Sequence, residues 1–153
     1  MSEIQPLRVE DAMVTRTIRI QHDANMYRAA EVVALSRVSD LMVVGEDDKF
    51  IGVLSEGDIL RAALPDTEEI VAEGGSLDTA FGIFLKKGKN LSELSVLPFV
   101  ITEPIVLDPQ DHVAKATTVM IDLNIRLLPV VKDGKLVGTI SRADVCQAVV
   151  GNL

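Results

Sequence analysis

The chain has little from which to build covalent cross-links or an aromatic interior. Its 153 residues include one cysteine, Cys146, no tryptophan, one tyrosine and four phenylalanines. A single thiol excludes an internal disulfide and fits a reducing compartment. Basic charge is also short, with 15 Lys and Arg against 23 Asp and Glu and a formal net charge of −8. That balance excludes duplex DNA or RNA, which needs a basic face, and disfavours an anionic membrane surface. No apolar run approaches the ~20 residues of a spanning helix. The opening stretch from Met1 to Met13 has no apolar region of the kind a secretory signal needs. A soluble, cytoplasmic protein is expected.

Catalytic signatures are absent too. There is no Gly-x-Ser-x-Gly, no P-loop and no Gly-x-Gly-x-x-Gly. His22 and His112 fall near helix starts with no Cys or His at metal spacing, so they read as surface or capping residues. Glu46-Asp47-Asp48 reads as a solvated turn, with Mg²⁺ as the alternative. Cys146 falls on the inward pattern of the last helix, as a small core residue. With no nucleophile, base or metal cluster in view, the chain is not expected to be an enzyme.

What the sequence does have is itself, twice. Apolar residues make up 48% of it, mostly aliphatic, enough for a core that buries roughly 70% of the unfolded surface. Residues from Leu7 match those from Leu94 at an offset of 87: Leu7/Leu94, Val9/Val96, Thr15/Thr102, Ile18/Ile105, Ala29/Ala116, Leu41/Leu128 and Val43/Val130. After a one-residue difference in a turn the match continues at 86, through Gly52/Gly138, Ser55/Ser141 and Asp58/Asp144. Such a repeat is the strongest fold signal a chain can carry. Because polar Ser and Asp recur alongside the apolar pattern, a duplicated site is expected as well as a duplicated fold.

Each copy switches from period 2 to helical period and back. The first predicts a strand at Thr17–Ile20, a helix at Met26–Ser36 with Met26, Ala29, Ala30, Val33 and Ala34 inward, strands at Leu41–Val44 and Phe50–Leu54, and a helix opened by Ser55. The second predicts a strand at Ile105–Leu107, a helix at Val113–Leu123, strands at Leu128–Val131 and Leu136–Ile140 around the hairpin signal Asp133-Gly134, and a last helix opened by Ser141. Between them a turn at Pro65, a break at Gly74-Gly75 and an amphipathic helix from Ser76 to Lys87, with Leu77, Ala80, Phe81 and Phe84 inward, form a connector. The expected divisions are 5–64, 65–91 and 92–150.

A β-α-β-β-α unit ending in Gly-h-h-Ser-x-x-Asp (h apolar), present as a tandem pair, resembles the CBS (cystathionine beta-synthase) domain family, whose paired form is called a Bateman module. The carriers are Leu41-Met-Val-Val44 with Gly52-Val-Leu-Ser-Glu-Gly-Asp58, and Leu128-Pro-Val-Val131 with Gly138-Thr-Ile-Ser-Arg-Ala-Asp144. The resemblance covers about residues 5–150. It implies an α/β (α+β) fold of two pseudo-symmetric repeats, each a small sheet with two packed helices, forming one compact disc with two clefts for adenosine-containing ligands. AMP, ADP or ATP is expected, with NAD or S-adenosylmethionine as alternatives. It further implies a homodimer, and a regulatory role exerted on a protein partner; the alternative is a ligand-free scaffold.

The residues give that role a physical basis. Ser55 and Ser141 stand where strand becomes helix, at the positive end that favours phosphate. Asp58 and Asp144 can accept two hydrogen bonds from a ribose diol, as an acid does in other nucleotide folds. The family's adenine contacts from the first strand map to Ile18 and Ile105, with Thr15 and Thr102 just upstream. Ser-x-x-Asp at a helix start is equally a capping box, in which the acid serves only the helix. The second motif carries Arg142, and Arg126 precedes its strand, so both are expected to meet phosphate; Glu56 and Ser39 hold these places in the first. Gly57 should loosen the first helix start by roughly 1 kcal/mol.

Overall fold

The structure, a computed structural model, describes residues 6–151. Gln5, where the first repeat is expected to begin, lies outside the described residues. In chain order the elements are α1 (Val9–Ala12), β1 (Arg19–Gln21), α2 (Met26–Ser36), β2 (Asp40–Val44), β3 (Phe50–Ser55), α3 (Glu56–Ala63), α4 (Thr67–Ala72), α5 (Leu77–Leu91), α6 (Val113–Asp122), β4 (Leu127–Lys132), β5 (Lys135–Ser141) and α7 (Arg142–Gly151). Single 3₁₀ turns occupy Glu46–Asp48 and Leu97–Phe99. The fold is mixed α and β, with small sheets. No helix among the described residues is long and apolar enough to cross a membrane.

The chain forms two compact units, and neither is one continuous stretch. The first comprises Met1–Thr17, Val44–Ile51 and Glu103–Leu153; the second comprises Ile18–Val43 and Gly52–Thr102.

In the first unit β4 and β5 pair antiparallel, Leu128 opposite Ile140 and Val130 opposite Gly138, with an irregularity at Val130/Val131. Asp133 (φ 51°) and Gly134 (φ 77°) make the turn. Both central residues take positive φ, as a two-residue hairpin of matching twist requires. Helices α1, α6 and α7 cover the hairpin around a core of Val9, Leu107, Val113, Ala116, Met120, Leu128, Val130, Ile140, Val145 and Ala148. Val14 adds a bridge to Thr139, its N–H donating at 2.8 Å and its carbonyl accepting at 2.9 Å.

The second unit is built on the sheet order β1-β2-β3. A central strand buried on both faces reads as an unbroken apolar run, and Leu41, Met42 and Val43 are fully buried. Around it lie α2, α3 and α5. Asn25 caps α2, its side-chain oxygen accepting from the Arg28 N–H at 2.9 Å. Here Ile101 bridges Val53, with N–H to O distances of 2.9 and 3.0 Å. Val14 and Ile101 are equivalent positions in the two copies, as are Thr139 and Val53. Each copy's leading segment has therefore paired with the hairpin of the other copy.

Several expectations change. Ile105–Leu107 is no strand; one parallel bridge joins Leu107 to Val130. Pro104 and Pro109 flank it and lack the N–H groups a longer ladder needs. α5 runs on to Leu91 and presents Leu77 and Phe81 to solvent, 89% and 63% exposed. Its half-buried stripe is Ala80, Ile83, Phe84, Lys87, Gly88 and Leu91, fastened where Lys87 Nζ donates to Glu69 Oε1 at 2.9 Å. On α2 only Met26 and Ala29 are buried, and Ala30 and Ala34 are exposed. Cys146 is exposed, because α7 buries Val145 and Ala148 and the next position turns away.

Two glycines permit the bridges. A Cβ on Gly52 would stand 2.2 Å from the Ile101 carbonyl oxygen, and one on Gly138 would stand 2.7 Å from that of Val14. Gly52→Ala should therefore destabilise the chain by about 1–3 kcal/mol, as overpacking does. Gly82, inside α5, has nothing within 4 Å of its Cβ position, so Gly82→Ala should stabilise by about 0.5–1 kcal/mol. Urea unfolding of both variants checks this; equal and small effects would show that the close approach at Gly52 carries no energy.

Candidate nucleotide site at the paired helix starts

Strand β3 ends at Ser55, which caps α3, and the Ser-x-x-Asp segment closes on itself. The Ser55 Oγ accepts from the Asp58 N–H at 3.0 Å and donates to Asp58 Oδ2 at 2.8 Å. The Ser55 N–H donates to the same Oδ2 at 3.1 Å. The second copy repeats this: the Asp144 N–H donates to Ser141 Oγ at 3.1 Å and the Ser141 N–H to Asp144 Oδ2 at 2.8 Å. The first helical amide is also engaged in the same way twice, Glu56 N–H to Ser39 O at 2.8 Å and Arg142 N–H to Arg126 O at 3.1 Å. Both motifs are thus complete capping boxes. The Gly57 and Ala143 amides are the first-turn donors that the boxes do not engage. A phosphate at either helix end would find one such amide, fewer than the sequence suggested.

The expected site residues sort by unit. Ser55, Asp58, Thr102 and Ile18 belong to the second unit; Ser141, Asp144, Arg126, Arg142, Thr15 and Ile105 belong to the first. The bridges put Thr102 beside Gly52 and Thr15 beside Gly138, so each threonine joins the other copy's motif strand. Thr15, Thr102, Ile18 and Ile105 are exposed, the isoleucines at 40% and 42%. Gly52 and Gly138 face the backbone carbonyls of Ile101 and Val14.

The charges differ from expectation. Arg142 turns back to the C-terminal end of α6: its Nη2 donates to Met120 O at 2.8 Å and Asn124 Oδ1 at 3.1 Å, and its Nε to Ile125 O at 3.0 Å. A guanidinium beside the last carbonyls of a helix is favoured there, and here it adds a second donor to Met120 O, which also accepts from the Ile125 N–H at 3.0 Å. Arg142 therefore has a structural use that competes with phosphate. Arg126 is exposed. The sequence reading missed Arg61, whose Nη2 donates to Asp58 Oδ1 at 2.7 Å. Its spacing of three from Asp58 on one helix was the available signal. Partial burial alone would raise the Asp58 pKa, but hydrogen bonds from the Ser55 hydroxyl, Arg61 and the Ser55 amide together hold it below the ordinary carboxylate value.

The second unit also has an apolar hollow of about 250 Å³ lined by Met26, Tyr27, Ile59, Leu60, Phe84 and Leu91 among others, with neither Ser55 nor Asp58 in its lining. His112 caps α6, its Nδ1 accepting from the Ala114 N–H at 2.9 Å. No cluster of three or more potential metal ligands occurs among the described residues.

Comparison with known proteins agrees with the fold. The structure of CBSX2 from Arabidopsis thaliana matches with a TM-score of 0.77 at 22% identity, covering 97% of each chain. The structure of CBSX2 in complex with AMP matches with a TM-score of 0.72 at 23% identity, over 95% of this chain and 98% of that one. In sequence, MJ1426 of Methanocaldococcus jannaschii is 27% identical over 93% of this chain and 90% of its own length. The mitochondrial CBS domain-containing protein CBSX3 of Arabidopsis thaliana is 31% identical over 84% of this chain, which spans 54% of CBSX3. The CBS domain model matches residues 9–65 and again 91–151, one match for each copy of the repeat. The chain belongs to the CBS domain family.

Proposed function

We propose that this chain is a regulatory module that binds adenine nucleotides such as AMP, ADP or ATP at its two Ser–Asp helix starts, without catalysis of its own. The observation that carries this reading is the duplicated polar box, with the same two amide hydrogen bonds in each copy, in a fold shared with a protein whose structure holds AMP. A capping box and a ribose site are compatible. Asp144 uses Oδ2 for the box, and its other oxygen can accept from a ribose hydroxyl. Thr15, Thr102, Ile18 and Ile105 would border the base, and the helix start would favour the phosphate. NAD and S-adenosylmethionine carry the same adenosine portion. Signalling requires that the ligand bind one conformation or association state better than another, through a homodimer or a protein partner. Exposed Leu35, Ile121, Val149 and Val150 are apolar surface that association would cover.

A second reading, a ligand-free interaction scaffold, is favoured by the same boxes, since their bonds are all internal. Melting in the presence of AMP, ADP, ATP, NAD and S-adenosylmethionine separates the two. Ligand at ~100 Kd should add about 2.7 kcal/mol, a rise of a few degrees; no rise with any of them supports the scaffold.

Two substitutions in the second box should part binding from folding. Asp144→Ala should weaken AMP about 10- to 100-fold, the scale of hydrogen bonds to a charged group, while costing about 1 kcal/mol of stability as a lost cap does. Arg142→Ala should do the reverse, losing about 0.5–1.5 kcal/mol of stability with the bonds to Met120 O, Asn124 Oδ1 and Ile125 O and keeping AMP affinity within a factor of about two. Calorimetry with urea unfolding tests both, and a swapped outcome would make Arg142 the ligand contact and Asp144 the cap.

A further inference from the structure

The two boxes are alike in backbone and unlike in one neighbour. In the first, both carboxylate oxygens of Asp58 are engaged: Oδ2 by Ser55, Oδ1 by Arg61. The Arg61 guanidinium lies over the first turn of α3, where a Cβ on Gly57 would stand 3.1 Å from its Nη1 and 3.3 Å from its Nη2. A methyl there would require the guanidinium to shift by only a few tenths of an ångström. The guanidinium therefore lies close to Gly57 in the first turn. The Asp58 side chain is 17% exposed and that of Arg61 is 67% exposed, so the pair closes outward over the acid. In the second box the equivalent residues are Ala143 and Gln147, and a neutral amide cannot form this ion pair.

Resting on the nucleotide reading above, we propose that Arg61 sets the specificity of the first site: it makes that site demand a ligand phosphate, whereas the second site accepts an unphosphorylated nucleoside as well. A ribose diol is neutral. To reach Asp58 Oδ1 it must displace a guanidinium, exchanging an ion-paired hydrogen bond for one from a neutral donor. A ligand phosphate removes that penalty by giving Arg61 a new anionic partner next to the helix start. An exposed pair of this kind is weak enough to be rearranged by a ligand. Asp144 carries no such cover, so adenosine meets its outer oxygen directly.

Titration calorimetry with AMP and adenosine tests this in two backgrounds that each silence one site. In Asp144→Ala, where the first site remains, AMP should bind at least about tenfold tighter than adenosine. Adding Arg61→Gln, which copies the second box, should bring the two ligands within about threefold by weakening AMP and admitting adenosine. In Asp58→Ala, the preference for AMP over adenosine should be smaller than in Asp144→Ala, and adding Gln147→Arg should widen it. Arg61 and Gln147 are both exposed, and melting curves show whether each variant is folded. An AMP-to-adenosine ratio unmoved by Arg61→Gln, with AMP still binding, overturns the specificity role alone. An absence of AMP binding to the wild-type chain overturns the nucleotide reading and this inference with it.

Discussion

Everything in this fold rests on a reciprocal exchange of backbone hydrogen bonds between the two copies of the repeat. The Val113 N–H donates to Leu7 O at 2.9 Å, and its equivalent, the Met26 N–H, to Leu94 O at 2.8 Å. The Val9 N–H donates to Asp111 O at 2.8 Å, and the Val96 N–H to Ala24 O at 3.1 Å. Val14 bridges Thr139 as Ile101 bridges Val53. The leading segment of each copy thus satisfies a helix start and a strand edge belonging to the other. Buried backbone groups must find partners, and a single copy would lack these. Val9 and Val96, which ride on the exchanged segments, are fully buried. Duplication in this chain is therefore a condition of folding and more than a doubling of sites.

That dependence explains what could be read in advance. α2 matched its predicted span, Met26 to Ser36, because its signals are local: Asn25 caps it and apolar residues recur at helical spacing. The second hairpin followed from Asp133-Gly134, since few residue pairs tolerate positive φ at both positions. The exchange was invisible because it is not local. Val9 and Val96 look equally apolar whichever copy receives them, and Gly52 announces a close approach without naming what approaches. The face of α5 went astray for a related reason. Leu77 and Phe81 fit a helical stripe, but docking on α3 and α4 selected the neighbouring stripe through Ile83, Phe84 and Leu91. Periodicity identifies a face only when one apolar stripe is available.

The candidate site was legible in its backbone and less so in its charges. Ser-x-x-Asp at the end of a strand defines the box by spacing alone, and both boxes formed. Long side chains are another matter, because a guanidinium on a flexible stem goes to the acceptors within its reach. For Arg142 those acceptors are the carbonyls that end α6, a destination that depends on tertiary packing between α6 and α7. For Arg61 they include the carboxylate one turn earlier, which the helix itself dictates. The first contact depends on the fold; the second depends only on helical spacing, three residues beyond Asp58.

The equality of the backbone is what makes the inequality of the side chains informative. Glu56 and Arg142 have opposite charges, yet their amides make the same hydrogen bond, to Ser39 and Arg126 respectively. Backbone bonds of this kind fix the helix start whatever side chain is attached, so the charges around it are free to differ between copies. On a chain of net charge −8 that freedom matters. The protein's overall field repels a phosphate, but salt screens exposed charges beyond about 8–10 Å, and within that range the nearest cations decide. Arg61 at one box and Arg126 near the other are such cations, placed differently relative to the acid. One backbone template, held in register by exchanged segments, can thus present two chemically distinct helix starts at little cost to the fold.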